Sequence, residues 1–154
     1  QKNDLAGLAP VAQRLSSDVV SLKEQLLAQT LPPEQLVSIV ARNMRSLADL
    51  RASSGEEERY SHSDLNGFAA NLETTRKVID LLRPLLAKSA AQLLPQVDSA
   101  ADALATRLAS LRDGFGYVAY DQVDARQRKE IADKAKALAD ALDAIDPALG
   151  LSGL

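Results

Sequence analysis

Apolar residues recur at steps of three and four in five separate stretches of the chain. That spacing brings them onto one side of an α-helix, so each stretch predicts an amphipathic helix. Pro84 is expected to end or kink the third helix, because a proline inside a helix removes a hydrogen bond. Asp124 is expected to cap the last one. The predicted helices span about residues 8–29, 32–51, 62–84, 92–112 and 124–145.

Short connections between these helices favour antiparallel neighbours in an up-and-down arrangement. The composition agrees, since 46% of the residues are apolar, chiefly Ala, Leu and Val, and only 3% are aromatic. Ala and Leu favour helices, whereas strands favour aromatic and β-branched residues. We therefore expect an all-α fold, an antiparallel bundle of four to five helices in a single domain over residues 1–154. Tyr117–Tyr120 is the only candidate for extended backbone.

The charge pattern and the missing motifs argue against several classes of function. The net charge is −3, and Lys and Arg occur in scattered pairs or triplets, which argues against a nucleic-acid-binding surface. The short basic run Arg126–Lys129 is interpreted as a solvated helix surface. No apolar run approaches the ~20 residues that a membrane-spanning helix needs. The chain has no Cys and lacks HExxH, GxSxG and phosphate-loop motifs, so no standard catalytic motif is present.

Residues 55–68, GEEERYSHSDLNGF, bring together functional groups that are uncommon elsewhere in the chain. They hold the only histidine, His62, close to three consecutive glutamates and an aspartate. One interpretation is structural, because Ser61 and Asp64 have the spacing of a capping box at the start of the third helix. The other is a metal site, because imidazole with carboxylates suits iron or zinc. A sole histidine makes only part of a coordination sphere, so such a site needs ligands from elsewhere.

All five aromatic residues lie in or beside two loops. Tyr60 and Phe68 belong to the acidic stretch, and Phe115, Tyr117 and Tyr120 lie within six residues of the segment DGFGYVAYDQVD. The clustering fits two interpretations. The aromatic side chains either line a pocket, or they belong to two loops that meet and plug one end of the bundle.

The acidic stretch continues into a longer pattern, GEEERYSHSDLNGFAANLETTRKVIDLLRP, that is similar to a known family. It resembles the imelysin-like domain of periplasmic iron-uptake components of the EfeO type, a family also labelled as metallopeptidases. The matching positions are Gly55, Glu56, Glu57, Arg59, Tyr60, Ser61, His62, Asp64, Leu65, Phe68, Ala70, Asn71 and Leu81–Pro84. The later GYVAYD, residues 116–121, resembles the family's second characteristic loop. Asn66 and Gly67 depart from the family pattern, which usually has an aromatic residue followed by an acid.

The resemblance implies a pair of helical bundles with a metal site in the cleft between them, of which this chain supplies one wall. The family's HxxE metal motif belongs to a helix upstream of the matched region, so the remaining ligands are expected from that segment. The residues implied as metal ligands are Glu57, His62 and Asp64. The residues implied to orient a ligand or to line the cleft are Arg59, Tyr60, Tyr117 and Tyr120.

The resemblance further implies a protein of the periplasm or cell envelope that binds iron, ferrous or ferric, or zinc, and delivers iron to a membrane permease. Its implied partners are the permease with associated periplasmic proteins, and the upstream half of the domain or another copy of the chain. Metal binding without turnover is the leading hypothesis. Two alternatives stay open: a zinc metallopeptidase, and a helical interaction module whose two loops only cap the bundle.

Overall fold

The structure is a computed structural model that describes residues 7–29, 32–54 and 58–149 of the 154-residue chain. Two compact units divide the chain, residues 1–32 and residues 33–154. Within its described residues the first unit forms one helix, α1 (Leu8–Ala28), which confirms the helix predicted from its leucine and valine stripe. The backbone of Gln29 is extended and ends α1.

Helices make up most of the second unit. They are α2 (Pro33–Ser46), α3 (Ala52–Ser54), α4 (Asp64–Ser89), α5 (Leu94–Ala109), α6 (Ala125–Asp143) and α7 (Ile145–Ala148). A π-helix, Leu47–Arg51, joins α2 to α3, and 3-10 turns cover Ala91–Leu93 and Tyr120–Gln122. A two-residue hairpin pairs β1 (Arg112–Asp113) with β2 (Gly116–Tyr117) in antiparallel register.

The four long helices of the second unit form a bundle. Both α2 and α5 pack against α4 and α6, which closes a ring of four, and the short α3 also packs on α6. The four-residue link between α4 and α5 makes these two helices antiparallel neighbours. The expected all-α bundle is therefore confirmed. None of the helices in the described ranges is both long enough and apolar enough to cross a membrane.

The core of the second unit contains the apolar stripes that the sequence predicts. In α4 the buried positions of the stripe are Leu65, Phe68, Leu72, Thr75, Ile79 and Leu82. In α5 and α6 they are Val97, Ala101, Leu104, Leu108, Ile131, Ala135, Leu138 and Leu142. Several core positions carry alanine and are at most 3% exposed, among them Ala41, Ala52, Ala101, Ala135 and Ala139. Small side chains at helix contacts allow the helix axes to approach closely.

Helix α4 continues through Pro84 to Ser89, so of the two expected effects of this proline, an end or a kink, the end is ruled out. Proline removes the hydrogen bond that residue 84 would donate to the carbonyl of Asp80. Leu82 and Leu86 lie on either side of it and are only 7% and 1% exposed. Burial of two leucines stabilises the helix by more than one missing hydrogen bond costs. Packing of the apolar stripe therefore keeps the chain helical beyond Pro84.

The connection between α5 and α6 is only partly as predicted. Extended backbone was expected at Tyr117–Tyr120, but the paired strands lie at Arg112–Asp113 and Gly116–Tyr117, and Tyr120 opens a 3-10 turn. Gly114 takes a positive φ of 57° at the hairpin tip, a conformation that favours glycine. The cap of α6 is confirmed. Asp124 Oδ1 accepts from Gln127 N at 2.8 Å, and Gln127 Oε1 accepts from Asp124 N at 3.1 Å.

Replacing Leu86 by alanine tests the packing argument for α4. We expect Leu86→Ala to lower the free energy of unfolding by about 2–5 kcal/mol, because it leaves a cavity in the core. The control is Leu81→Ala in the same helix, where the side chain is 73% exposed, and it should change stability by only about 0.5 kcal/mol. Urea denaturation followed by circular dichroism measures both. Equal destabilisation by the two variants would contradict the packing shown here.

Candidate functional site

The two aromatic loops of the sequence meet in the second unit. The backbone N–H of Tyr120 donates a hydrogen bond to the carbonyl of His62 at 2.9 Å. The rings of Tyr120 and Phe68 pack edge to face, with centroids 5.5 Å apart and an interplanar angle of 85°. Both rings are almost fully buried, so at this pair the loops plug the bundle. Tyr60 and Phe115, by contrast, are exposed.

Residues 58–64, here called the acidic turn, are closed by their own hydrogen bonds. The N–H of His62 donates to the carbonyl of Glu58 at 2.7 Å. The hydroxyl of Ser61 donates to Glu58 Oε2 at 2.9 Å and lies 2.9 Å from the hydroxyl of Ser63. These contacts fix the glutamate carboxylate against the turn, and they leave the imidazole of His62 without a hydrogen bond to any described residue.

His62 has a positive φ of 52°, the only such value at a non-glycine residue in the described part of the chain. The left-handed region costs a non-glycine residue roughly 1–3 kcal/mol and is found disproportionately at functional sites. Here the conformation is held from both sides. The N–H of His62 is bonded to Glu58 and its carbonyl to Tyr120.

Asp64 is the first residue of α4 and is 1% exposed. Its Oδ1 atom accepts a long hydrogen bond, 3.4 Å, from the backbone N–H of Glu58. Within the described residues its Oδ2 atom is buried and has no hydrogen-bond partner. The start of a helix favours negative charge, which offsets part of the cost of burying a carboxylate. The remaining oxygen is a free acceptor in a desolvated position.

The capping box expected at Ser61 and Asp64 is absent from this described segment, and that interpretation was wrong. The residue that precedes α4 is Ser63, and its side chain makes no capping hydrogen bond. Helix α4 begins at Asp64 itself, so the aspartate cannot occupy the third helical position. Its side chain bonds to the turn before the helix and holds that turn closed.

Tyr120 is anchored by its own surroundings. Its hydroxyl donates to the carbonyl of Ala52 at 2.5 Å. The guanidinium of Arg128 lies 4.7 Å from the centre of the Tyr120 ring, and it donates to the carbonyls of Tyr120 and Val123 at 3.0 and 2.8 Å. Burial raises the pKa of Tyr120 to about 12, Arg128 acts in the opposite direction, and the Asp64 carboxylate adds to the rise.

Arg128 is a contributor that the sequence analysis missed. The run Arg126–Lys129 was interpreted as a solvated surface, and that holds for its two ends, which are exposed and pair with Glu130 and Asp133 on their own helix. Arg128 instead turns back over Tyr120. No signal in the sequence separates Arg128 from Arg126, because both cations lie in the first turn of α6, where the helix dipole disfavours them.

The other predicted site residues are less informative. Glu57 lies outside the described residues, so its role stays a prediction. Arg59 and Tyr60 are both exposed. Tyr117 is half-buried, with the guanidinium of Arg112 stacked 5.2 Å from its ring centre. The structure therefore brings His62, Asp64 and Tyr120 together and leaves the cleft-lining roles of Tyr60 and Tyr117 untested.

The described residues alone do not complete a metal site. Among them no group of three or more His, Cys, Asp or Glu side chains is placed to hold a metal ion. A neighbouring cavity of about 420 Å³ lies between Ala52 and α6, but its charged side chains are Arg128 and Lys129, which disfavour a cation. What the acidic turn offers is one buried carboxylate oxygen, one imidazole and one carboxylate bound by Ser61.

Comparison with known proteins gives a match over nearly the whole chain. The model of the imelysin family, peptidase M75, matches residues 1–145. The iron uptake system component EfeO of Escherichia coli strain K12 is 36% identical to this chain over 149 residues, and so are its counterparts in Shigella flexneri and Escherichia coli O157:H7. Each alignment covers 97% of this chain and 40% of the relative, so the chain spans 40% of the length of these curated relatives.

The environment of Tyr120 predicts a pH dependence at the alkaline end. The folded pKa of about 12 lies above the ordinary tyrosine value, so folding favours the protonated phenol. The stability that this contributes is present below the ordinary value and is lost as the pH rises to about 12. A titration of phenolate absorbance in the wild-type chain and in Tyr120→Phe should differ by one group with a midpoint near pH 12. A difference curve centred at the pKa of free tyrosine would contradict the buried placement.

Proposed function

This chain belongs to the imelysin family, and we propose that it acts in bacterial iron uptake and that its acidic turn contributes ligands to an iron-binding site. The observation that carries the proposal is the buried Asp64 carboxylate, whose Oδ2 atom lacks a hydrogen-bond partner within the described residues. The relatives' name, iron uptake system component, supports iron as the cargo.

The electrostatics of Asp64 favour a cation at this position. A carboxylate that leaves water loses solvation, and it is normally compensated by hydrogen bonds, by an opposite charge or by a metal ion. The N-terminus of α4 supplies a partial positive charge, and Glu58 N–H supplies one long hydrogen bond. A cation bound at Oδ2 would supply the missing compensation, because that oxygen is the only polar atom of the side chain without a partner among the described residues.

The neighbouring donors suit iron. His62 is the only imidazole of the chain and lies two residues before Asp64, and Glu57 directly precedes the acidic turn. Carboxylate oxygens together with an imidazole nitrogen suit iron among the first-row metals. In this proposal Glu57, His62 and Asp64 are ligands from this chain, and Arg59 orients one of the carboxylates. The HxxE segment implied by the family resemblance supplies the ligands that these three do not.

The same proposal places the protein in the periplasm or cell envelope, where it hands iron to a membrane permease. Family membership and the relatives' description as components of an uptake system support this role. A carrier needs a site that exchanges its ion, and the proposed donor set of carboxylates and one imidazole suits iron.

Substitution of Asp64 by asparagine tests the site directly. Asp64→Asn keeps the shape and the acceptor for Glu58 N–H but removes the charge, so we expect the affinity for iron to fall about tenfold or more, equivalent to about 1.4 kcal/mol. Calorimetric titration with ferrous, ferric and zinc ions is carried out on this chain and on the longest natural form of the protein. The control is Asp113→Asn, an exposed carboxylate in the hairpin. Equal affinities for wild type and Asp64→Asn in both forms would refute the site.

Substitution of His62 by glycine separates its imidazole from its backbone. Glycine accepts a positive φ without strain, so His62→Gly should change the free energy of unfolding by no more than about 1 kcal/mol. The affinity for iron should nevertheless fall, because the nitrogen donor is lost. The matched variant is His62→Ala, which also lacks the imidazole but, like histidine, keeps a Cβ atom in the left-handed region, so it should lose affinity and be less stable than His62→Gly. Unchanged iron affinity in both variants would remove His62 from the ligand set.

A further inference from the structure

We infer that Tyr120 is a positioning residue that holds the acidic turn, where the candidate ligands His62 and Asp64 lie. The inference rests on the proposed function for its consequence, metal affinity, but its structural basis is independent. Tyr120 comes from a distant part of the sequence and bonds both to α3, at Ala52, and to the acidic turn, at His62.

The first contact is with the carbonyl of Ala52, the residue that opens α3. The Tyr120 hydroxyl donates to this carbonyl at 2.5 Å in a buried setting. This bond fixes the Tyr120 side chain against α3.

The second contact is with the carbonyl of His62, which accepts from the backbone N–H of Tyr120 at 2.9 Å. This bond is made at the residue with positive φ, so it holds the acidic turn in its uncommon backbone conformation. The turn then leads directly into Asp64 at the start of α4. The direction in which the Asp64 carboxylate and the His62 imidazole point therefore depends on this contact.

Tyr120 can hold other residues because it is itself held. Arg128 stacks on its ring and donates to its carbonyl, and Phe68 packs against the ring edge. Its hydroxyl proton is engaged by Ala52, and the side chain is 1% exposed, so the phenol is not available as a metal ligand. Its contribution is geometric: a turn that is already held in one conformation loses less conformational freedom when its side chains bind an ion.

The test compares two buried hydroxyl groups. Tyr120→Phe removes only the bond to Ala52, and the matched control Thr75→Val removes a buried hydroxyl that donates to Asn71 within α4 at 2.9 Å. Two properties are measured in each variant: hydrogen exchange of the backbone amides of residues 58–64, and affinity for ferrous ion by calorimetric titration. We expect Tyr120→Phe alone to speed exchange about tenfold and to weaken ion binding about threefold or more.

A second pair of variants keeps the inference testable without touching Tyr120. Arg128→Met removes the stacking cation and its two bonds, whereas Arg126→Met alters an exposed arginine two residues earlier. Arg128→Met should show the same faster exchange of the acidic turn, and Arg126→Met should behave as wild type. If both members of this pair left the hydrogen exchange of residues 58–64 unchanged, the inference that Tyr120 holds the acidic turn would be refuted.

The outcomes separate this inference from the proposed function. Unchanged exchange in Tyr120→Phe overturns the inference whatever the affinity does. Faster exchange with unchanged ion affinity, in a chain whose wild type binds iron, also overturns it, because the contact would then be structural only. If wild type and Asp64→Asn both fail to bind iron, the proposed function falls, and the faster exchange alone still establishes that Tyr120 fixes the acidic turn.

Discussion

The contacts of one tyrosine organise the candidate site. Tyr120 bonds to Ala52, the first residue of α3, through its hydroxyl and to the acidic turn through its backbone N–H, and Arg128 of α6 donates to its carbonyl. The bond to Ala52 is buried, so it is made away from competing water, and loss of either partner would leave a desolvated polar atom. Tyr120 and Arg128 thus connect α3, the acidic turn and α6.

Two features of the acidic turn are locally unfavourable in free energy, and the stability of the rest of the bundle offsets them. His62 occupies a left-handed backbone conformation, and Asp64 buries a carboxylate with one oxygen unbonded among the described residues. Neither feature is needed to start a helix, because Ser63 could cap α4 and a glycine would suit residue 62. Local rules are most often broken where a protein needs a particular arrangement of groups for its function. That reasoning supports the acidic turn as a site independently of any family relationship.

The helices followed from the sequence because their positions depend on a repeating local pattern, and the stripes of α4, α5 and α6 are buried as expected. Helix α4 does not end at Pro84, because the packing on both sides of this residue is tertiary and outweighs one hydrogen bond. The conformation of the acidic turn was also beyond local reasoning, since the bond that holds His62 comes from Tyr120. Family membership followed from the GEEERYSHSDL pattern, whereas the roles of Glu57, His62 and Asp64 remain predictions.

The alanines in the core of the second unit have a consequence for how this protein tolerates sequence change. Ala41, Ala135 and Ala139 are at most 1% exposed, and protein interiors are close-packed, so extra atoms at these positions would meet neighbouring side chains. Substitutions that add volume there would push helix axes apart, whereas those at large leucines leave holes that neighbours partly fill. We therefore expect related sequences of this bundle to keep small residues at these core positions.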